Sequence, residues 1–439
     1  MSLNMRFERA FTLVLPLLAL AGATPLFAGQ EDLEELVRRQ GEQIRQLKEE
    51  VGDLRSQQAS GIDSDISQYL AETDVARAPT GSKGGGLFGG RVRVGGYFSL
   101  EFRDDGDGQT MHFDQHRLVL KLQSEIADGI GFETEIEFEG GGADVSFLTG
   151  NEILVEFAEL SFQLIEDKLI LNAGVILIPW GRFNQYHDDP LNELTDRPLV
   201  SRRIGAAAFG QPGIGTEGTF EFGDSWFFDY NVALVQGFAD GFTTNGGVRG
   251  ARQSFRADNN DNKQVFARFV LSPPTQWFDV VEAGGSLNFG KHDAGGNLRN
   301  YGWAFELFAR KGPVQVTGEY MLQRIEQPAA APLTDPRRQD GWYVEVAYFF
   351  FPGAWRGKHT LLTDESTFAL VVRVEAIDLN HSTTGDTFRD DLQQISVGFN
   401  YRPVQRTVFK ISYTWVDSEE TGFVSGAADR FTISCASYF

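Results

Sequence analysis

The sequence predicts an all-β protein, a 16-stranded antiparallel transmembrane β-barrel preceded by a short N-terminal coiled-coil helix. Three observations carry this expectation. Segments of period-two hydrophobicity follow one another from Arg91 to Phe439. The connections between them alternate between short and long, as in barrels with tight periplasmic turns and longer outer loops. Aromatic residues make up 13 % of the chain although its mean hydropathy is only −0.24. A barrel in lipid gives both values together, with aromatics outside and polar groups inside.

The elements follow in chain order. Arg6 and Arg9 precede an apolar run from Phe11 to Leu20, and small residues offer cleavage after Ala23 or Ala28. This reads as a secretory signal peptide over 1–28, the run being short for a permanent anchor. No stretch of about 18 uncharged apolar residues follows, so no helix is offered to span a bilayer. A secreted chain that spans a membrane must then do so as a closed barrel. Leu33, Val37, Gln40, Ile44, Leu47, Val51 and Leu54 alternate four and three apart, a heptad pattern that predicts a periplasmic coiled coil over 29–58. Residues 59–90 are rich in Gly, Ser, Ala and Asp and read as a flexible linker.

Residues 91–439 read as the barrel. In Arg406–Trp415, Thr407, Phe409, Ile411, Tyr413 and Trp415 share one face, and Arg406, Val408, Lys410, Ser412 and Thr414 the other. At 130–139, Ile130, Phe132, Ile136 and Phe138 oppose Glu133, Glu135, Glu137 and Glu139. Strands are expected at 92–104, 113–127, 130–140, 152–165, 168–177, 213–223, 226–237, 263–272, 277–290, 300–311, 313–325, 341–351, 366–380, 389–402, 405–418 and 428–439. Turn residues such as Ala127-Asp128-Gly129 and Lys311-Gly312-Pro313 mark the short side. The connection 352–365 is long for that side. The last strand alternates to Phe439, which resembles the assembly signal of bacterial outer-membrane proteins.

Composition excludes other classes. A net charge of −22 argues against a nucleic-acid partner. Cys435 is the only cysteine, so no intrachain disulfide or multi-cysteine metal site forms. His112 and His116 lie four apart where a strand begins, and His187 has no second histidine near it in sequence. Neither an activated serine nor a dinucleotide fingerprint is present. No enzyme activity, cofactor or metal is therefore expected.

The longest connection, 178–212, carries Arg182, Asn184, His187, Asp188, Asp189, Glu193, Asp196, Arg197, Arg202 and Arg203. A solvent loop of this length needs no such density of prolines, aromatics and paired charges, so it is expected to fold inward and constrict a pore. Signal peptide, short coiled coil, sixteen-strand pattern and this loop together resemble the phosphate-selective porin O and P family. The resemblance implies a homotrimer in outer-membrane lipid, with a lumen lined by arginines and lysines. By position it picks out Arg182, Arg197, Arg202 and Arg203 on the loop, and Arg117, Lys121, Arg373, Arg406 and Lys410 on the wall. The sequence departs from that pattern in a stripe of Glu133, Glu135, Glu137 and Glu139. Glu217, Glu221, Glu306, Glu319, Glu345 and Glu375 also turn inward by parity. Asp188, Asp189, Glu193 and Asp196 are expected to offset the loop arginines one for one. The expected function is passive diffusion of small hydrophilic solutes, anionic ones such as phosphate-like ions included. Two alternatives remain: general diffusion without anion preference, or a structural envelope tether anchored by the barrel.

Overall fold

The computed structural model describes residues 92–106, 111–140, 152–223, 225–244, 246–332, 335–380, 391–418 and 428–439. The expected signal peptide, coiled coil and linker lie outside the described residues.

The strands are β1 Val92–Asp104, β2 His112–Ala127, β3 Ile130–Glu139, β4 Glu152–Ile165, β5 Leu169–Leu177, β6 Gly210–Phe222, β7 Trp226–Val235 and β8 Gln264–Ser272. They continue as β9 Val280–Lys291, β10 Arg299–Lys311, β11 Val314–Ile325, β12 Arg338–Phe350, β13 Thr367–Asp378, β14 Asp391–Val404, β15 Thr407–Ser418 and β16 Arg430–Tyr438. Each strand pairs antiparallel with its sequence neighbour. The β1·β16 pairing, from Tyr97↔Tyr438 to Asp104↔Phe431, closes the ring. The backbone N–H of Phe439 donates to the Gly96 carbonyl at 3.0 Å beside that seam. Closure leaves no unpaired edge, which is what a sheet in hydrocarbon requires.

Period two is visible in the burial of single strands. Along β10, Tyr301, Trp303, Phe305 and Leu307 are exposed, and Asn300, Gly302, Ala304 and Glu306 are buried. The first set faces lipid and the second the lumen. Aromatic residues gather at the short-turn end of the β12–β14 wall, where Phe350, Phe351, Phe399 and Tyr401 each pack against the Phe368 ring. Rings at this level suit the polar–apolar boundary of a bilayer.

The short connections lie at one end. Gly129, at φ 71°, takes the left-handed conformation that the two-residue turn after β2 needs. The long connection on that side holds a short 3-10 helix, Gly353–Trp355. Thr363 and Ser366 hydroxyls donate to the Pro403 carbonyl at 2.6 and 2.9 Å, tying it to the turn between β14 and β15. It is a decorated turn. Arg406 also belongs to this end. It was expected on the lumen wall, but it sits exposed in the turn before β15. The period-two split of the strand holds only from Thr407 onward, where pairing begins again.

Candidate functional site

The connection from β5 to β6 turns into the barrel. It contains two short helices, α1 Arg182–Gln185 and α2 Leu199–Arg203. Its apolar side chains Trp180, Leu199, Val200, Ile204 and Phe209 are buried in one cluster with Phe266, Met321, Tyr343 and Ile377 of the wall. Phe238, Phe242, Val248 and Ala251, from the connection between β7 and β8, join the same cluster. Burying such side chains stabilises by roughly 1.5–3 kcal/mol each. The inward fold therefore has an apolar driving force as well as polar ties.

The loop's two ends are stapled together. The Asn184 side-chain amide donates to the Ile178 carbonyl at 2.7 Å, and its Oδ1 accepts the Phe209 N–H at 2.9 Å. Asn184 is a buried brace at the base of the loop. Gly181 begins the inward turn at φ 76°. A Cβ there would lie 2.1 Å from Met321 Cε and 2.8 Å from Glu319 Oε1. Gly181→Ala is expected to weaken docking of the loop by roughly 1–3 kcal/mol. Faster proteolytic cleavage within 178–209, with the β-sheet circular dichroism unchanged, is the measurement.

The polar ties reach around the ring. Asp188 accepts from Lys121 Nζ at 2.7 Å and from the Tyr438 hydroxyl at 2.9 Å. Asp189 accepts from Arg117 at 2.8 Å and from Ser99 at 2.6 Å. Glu193 pairs with Arg402 at 3.0 Å and accepts from Asn400 at 2.7 Å. Asp196 pairs with Arg103 and Arg430, each at 3.0 Å. Lys410 donates to the Asp189 carbonyl at 2.7 Å, and Arg373 to the Asp196 carbonyl at 2.9 Å. Glu375 accepts the Leu199 N–H at 2.5 Å. On the opposite wall Arg182 pairs with Glu282 and lies 4.3 Å over the Phe308 ring. His187 is buried, with Nε2 2.9 Å from Glu156 and Nδ1 2.9 Å from the Asn184 carbonyl.

The loop carboxylates are thus bound to wall cations. Loop arginines act on two of them as well, Arg197 on Asp189 and Arg202 on Asp196, but the ion pairs are made with the wall. The reason is reach: Lys121, Arg117, Arg402, Arg103 and Arg430 point inward from strands that face the loop. Burial alone would raise the Asp196 carboxyl, but Arg430, Arg103 and Arg202 outweigh it and hold the group well below the usual carboxylate range. A depressed carboxylate stabilises the docked loop fully above the ordinary Asp range. That contribution is lost only as pH falls through the lower folded value.

The glutamate stripe on β3 is largely spent on bracing. Glu137 and Glu139 pair with Arg117, and Glu135 lies 3.1 Å from Lys121. Glu133 faces Glu159 across the β3·β4 register, nearer the short-turn end. Among the loop arginines, Arg202 is exposed, and Arg203 and Arg197 are half-buried. Arg197 Nε and Nη2 have no hydrogen-bond partner among the described residues. Around Arg202 stand Arg203, Arg430 and Arg103, with Asp196 the opposing charge.

Sequence reasoning did not single out Ser99, Arg103, Glu156, Glu282, Asn400, Arg402 and Arg430. Inward parity of β1, β14 and β16 could have found Arg103, Asn400, Arg402 and Arg430. Glu156 is the extra residue of a bulge between Val155 and Phe157, where simple alternation loses phase.

Comparisons with known proteins fit this geometry. Pseudomonas putida OprB superposes with a TM-score of 0.53 at 10 % identity, over 80 % of this chain and 94 % of that one. Salmonella typhi OmpF, solved in complex with daunomycin, gives 0.52 at 11 % identity, over 79 % and 97 %. These likenesses show the fold. An uncharacterized protein from Aquifex aeolicus (strain VF5) is 25 % identical over 275 residues, 58 % of this chain and 61 % of that relative, so the chain spans less than two thirds of its length. The sequence profile of the family described as phosphate-selective porin O and P matches residues 89–428. A closed sixteen-strand barrel with lipid-facing aromatics and this profile match place the protein in the bacterial outer membrane, and the chain belongs to the phosphate-selective porin O and P family.

Proposed function

We propose that the channel passes small hydrophilic solutes by passive diffusion and prefers anions, phosphate-like ions among them. One observation carries this reading. Each acidic side chain of the inward loop is paired with a wall cation, Asp196 taking both Arg103 and Arg430, while Arg202 stays exposed. The charge left for a passing solute at the loop is positive. Arginine groups favour anions by replacing part of their lost hydration, and guanidinium keeps its charge throughout.

The inward carboxylates that face one another nearer the short turns, Glu133 and Glu159, temper this preference. Selectivity is therefore weak to moderate. Purified protein in a planar bilayer under a KCl gradient should give a zero-current potential of anion-selective sign. A clear cation preference would refute the arginine assignment, and a potential near zero would favour general diffusion. Absence of any conductance would favour the tether. We further propose the homotrimer that the family resemblance implies, which chemical cross-linking in membranes would resolve as a three-chain band.

A further inference from the structure

We infer that a divalent transition cation of the zinc type binds at the outer rim of the lumen, held by Glu101, Asp114 and His116. One carboxylate oxygen from each acid and a ring nitrogen of His116 all lie within 4.8 Å of one another. His116 Nε2 is 3.8 Å from Glu101 Oε1, and its Nδ1 is 3.5 Å from Asp114 Oδ2.

A β-bulge builds this group. Arg117 and Lys121 face the lumen, so unbroken alternation along β2 would turn positions 112, 114 and 116 toward lipid. Gln115 and His116 together stand opposite Leu100, and the register resumes with Glu101↔Asp114 and Arg103↔His112. The extra residue reverses the phase, so Asp114 and His112 meet the inward face of β1. Bulges that re-aim side chains in this way concentrate beside functional sites.

The donor set suits a borderline dication. Zinc accepts imidazole and carboxylate ligands in a tetrahedral shell and keeps an open position for water. Imidazole also suits copper and nickel, whereas calcium takes six to eight oxygens. Arg103 does not cancel the site. It takes Glu101 Oε2 at 2.6 Å and leaves Oε1 toward His116, and its own charge is shared with Asp105 at 3.2 Å and Asp196 at 3.0 Å. A second triad, Glu135, His187 and Asp188, has similar composition. There Lys121 Nζ lies 3.1 Å from Glu135 and 2.7 Å from Asp188, so an ammonium already occupies the space between the carboxylates.

Isothermal titration of zinc chloride into the full-length protein in detergent tests this. One zinc per chain is expected, weakened at least about tenfold by Asp114→Asn and, separately, by His116→Gln, loss of a ligand being at least as costly as loss of its supporting group. His187→Gln should bind as the wild type does. The two rim substitutions are independent, so if one fails to fold the other decides. No saturable zinc binding, or wild-type affinity in either folded rim variant, would overturn the site. Loss of binding in His187→Gln would move it to the buried triad. Equal competition by calcium would reduce it to an oxygen-only acidic surface.

Discussion

Arg202→Glu is expected to carry the zero-current potential in a KCl gradient from the anion-selective to the cation-selective side. Arg202 is the exposed arginine of α2, and the carboxylate that acts on it, Asp196, is itself paired with Arg103 and Arg430. Arg203, Arg430 and Arg103 stand around it, the last two paired with Asp196. Glutamate there changes the local charge by two units and gives those arginines an anion of the protein's own. At about 4 Å, and an effective dielectric near 20, each unit pair is worth roughly 4 kcal/mol before screening. A tenfold change in permeability ratio needs only about 1.4 kcal/mol, so screening would have to remove most of the effect to hide it. Arg202→Gln should weaken the anion preference without reversing it. A wild-type potential in Arg202→Glu would remove α2 from the selectivity argument.

The second large effect is expected at Arg373. This buried guanidinium lies 3.1 Å from Glu375 and 3.4 Å from Glu345, and it donates to the Asp196 carbonyl at 2.9 Å. Arg373→Met leaves two carboxylates unpaired in the lumen wall and a loop carbonyl without its donor. Breaking a buried ion pair from one side costs roughly 3–5 kcal/mol. The loop should detach locally around Asp196–Leu199, because Glu375 also holds the Leu199 N–H. Larger and flickering single-channel conductance, together with a lower unfolding temperature, is the expected record. Adding Glu345→Gln and Glu375→Gln to Arg373→Met should recover part of the stability, since neutralising all partners removes the uncompensated charge. Quiet wild-type conductance in Arg373→Met would mean that the apolar cluster alone fixes the loop.

The strands were legible because alternation is enforced twice, by lipid outside and by polar groups inside. Every expected boundary lies within three residues of the observed strand end. The inward loop was legible through its composition, and the inward direction of Arg117, Lys121, Arg373 and Lys410 through parity. What parity lost is instructive. Arg406 falls where the strand has given way to a turn, and Glu156 and His116 fall in bulges, where one extra residue reverses the faces. The partners of Asp189 and Asp196 were hidden for another reason. Arg117, Arg103 and Arg430 become neighbours of the loop only through barrel closure, which no local pattern encodes. Phe238, Phe242 and Val248 have no period at all, because they pack as an irregular loop into the apolar cluster.

The distribution of the loop's ties bears on how the molecule comes together. Asp188 accepts from Tyr438, 250 residues later, and Asp196 pairs with Arg430, 234 residues later. Contacts of such separation form late, because a long chain segment must be ordered before they repay its entropy. The loop is therefore not fully tied while the barrel is still an open sheet, since Tyr438, Arg430 and Ser434 arrive with the final strand. Until the seam shuts, Asp188 lacks the Tyr438 hydroxyl and Asp196 lacks Arg430. The complete set of loop ties thus exists only once the last strand is in place.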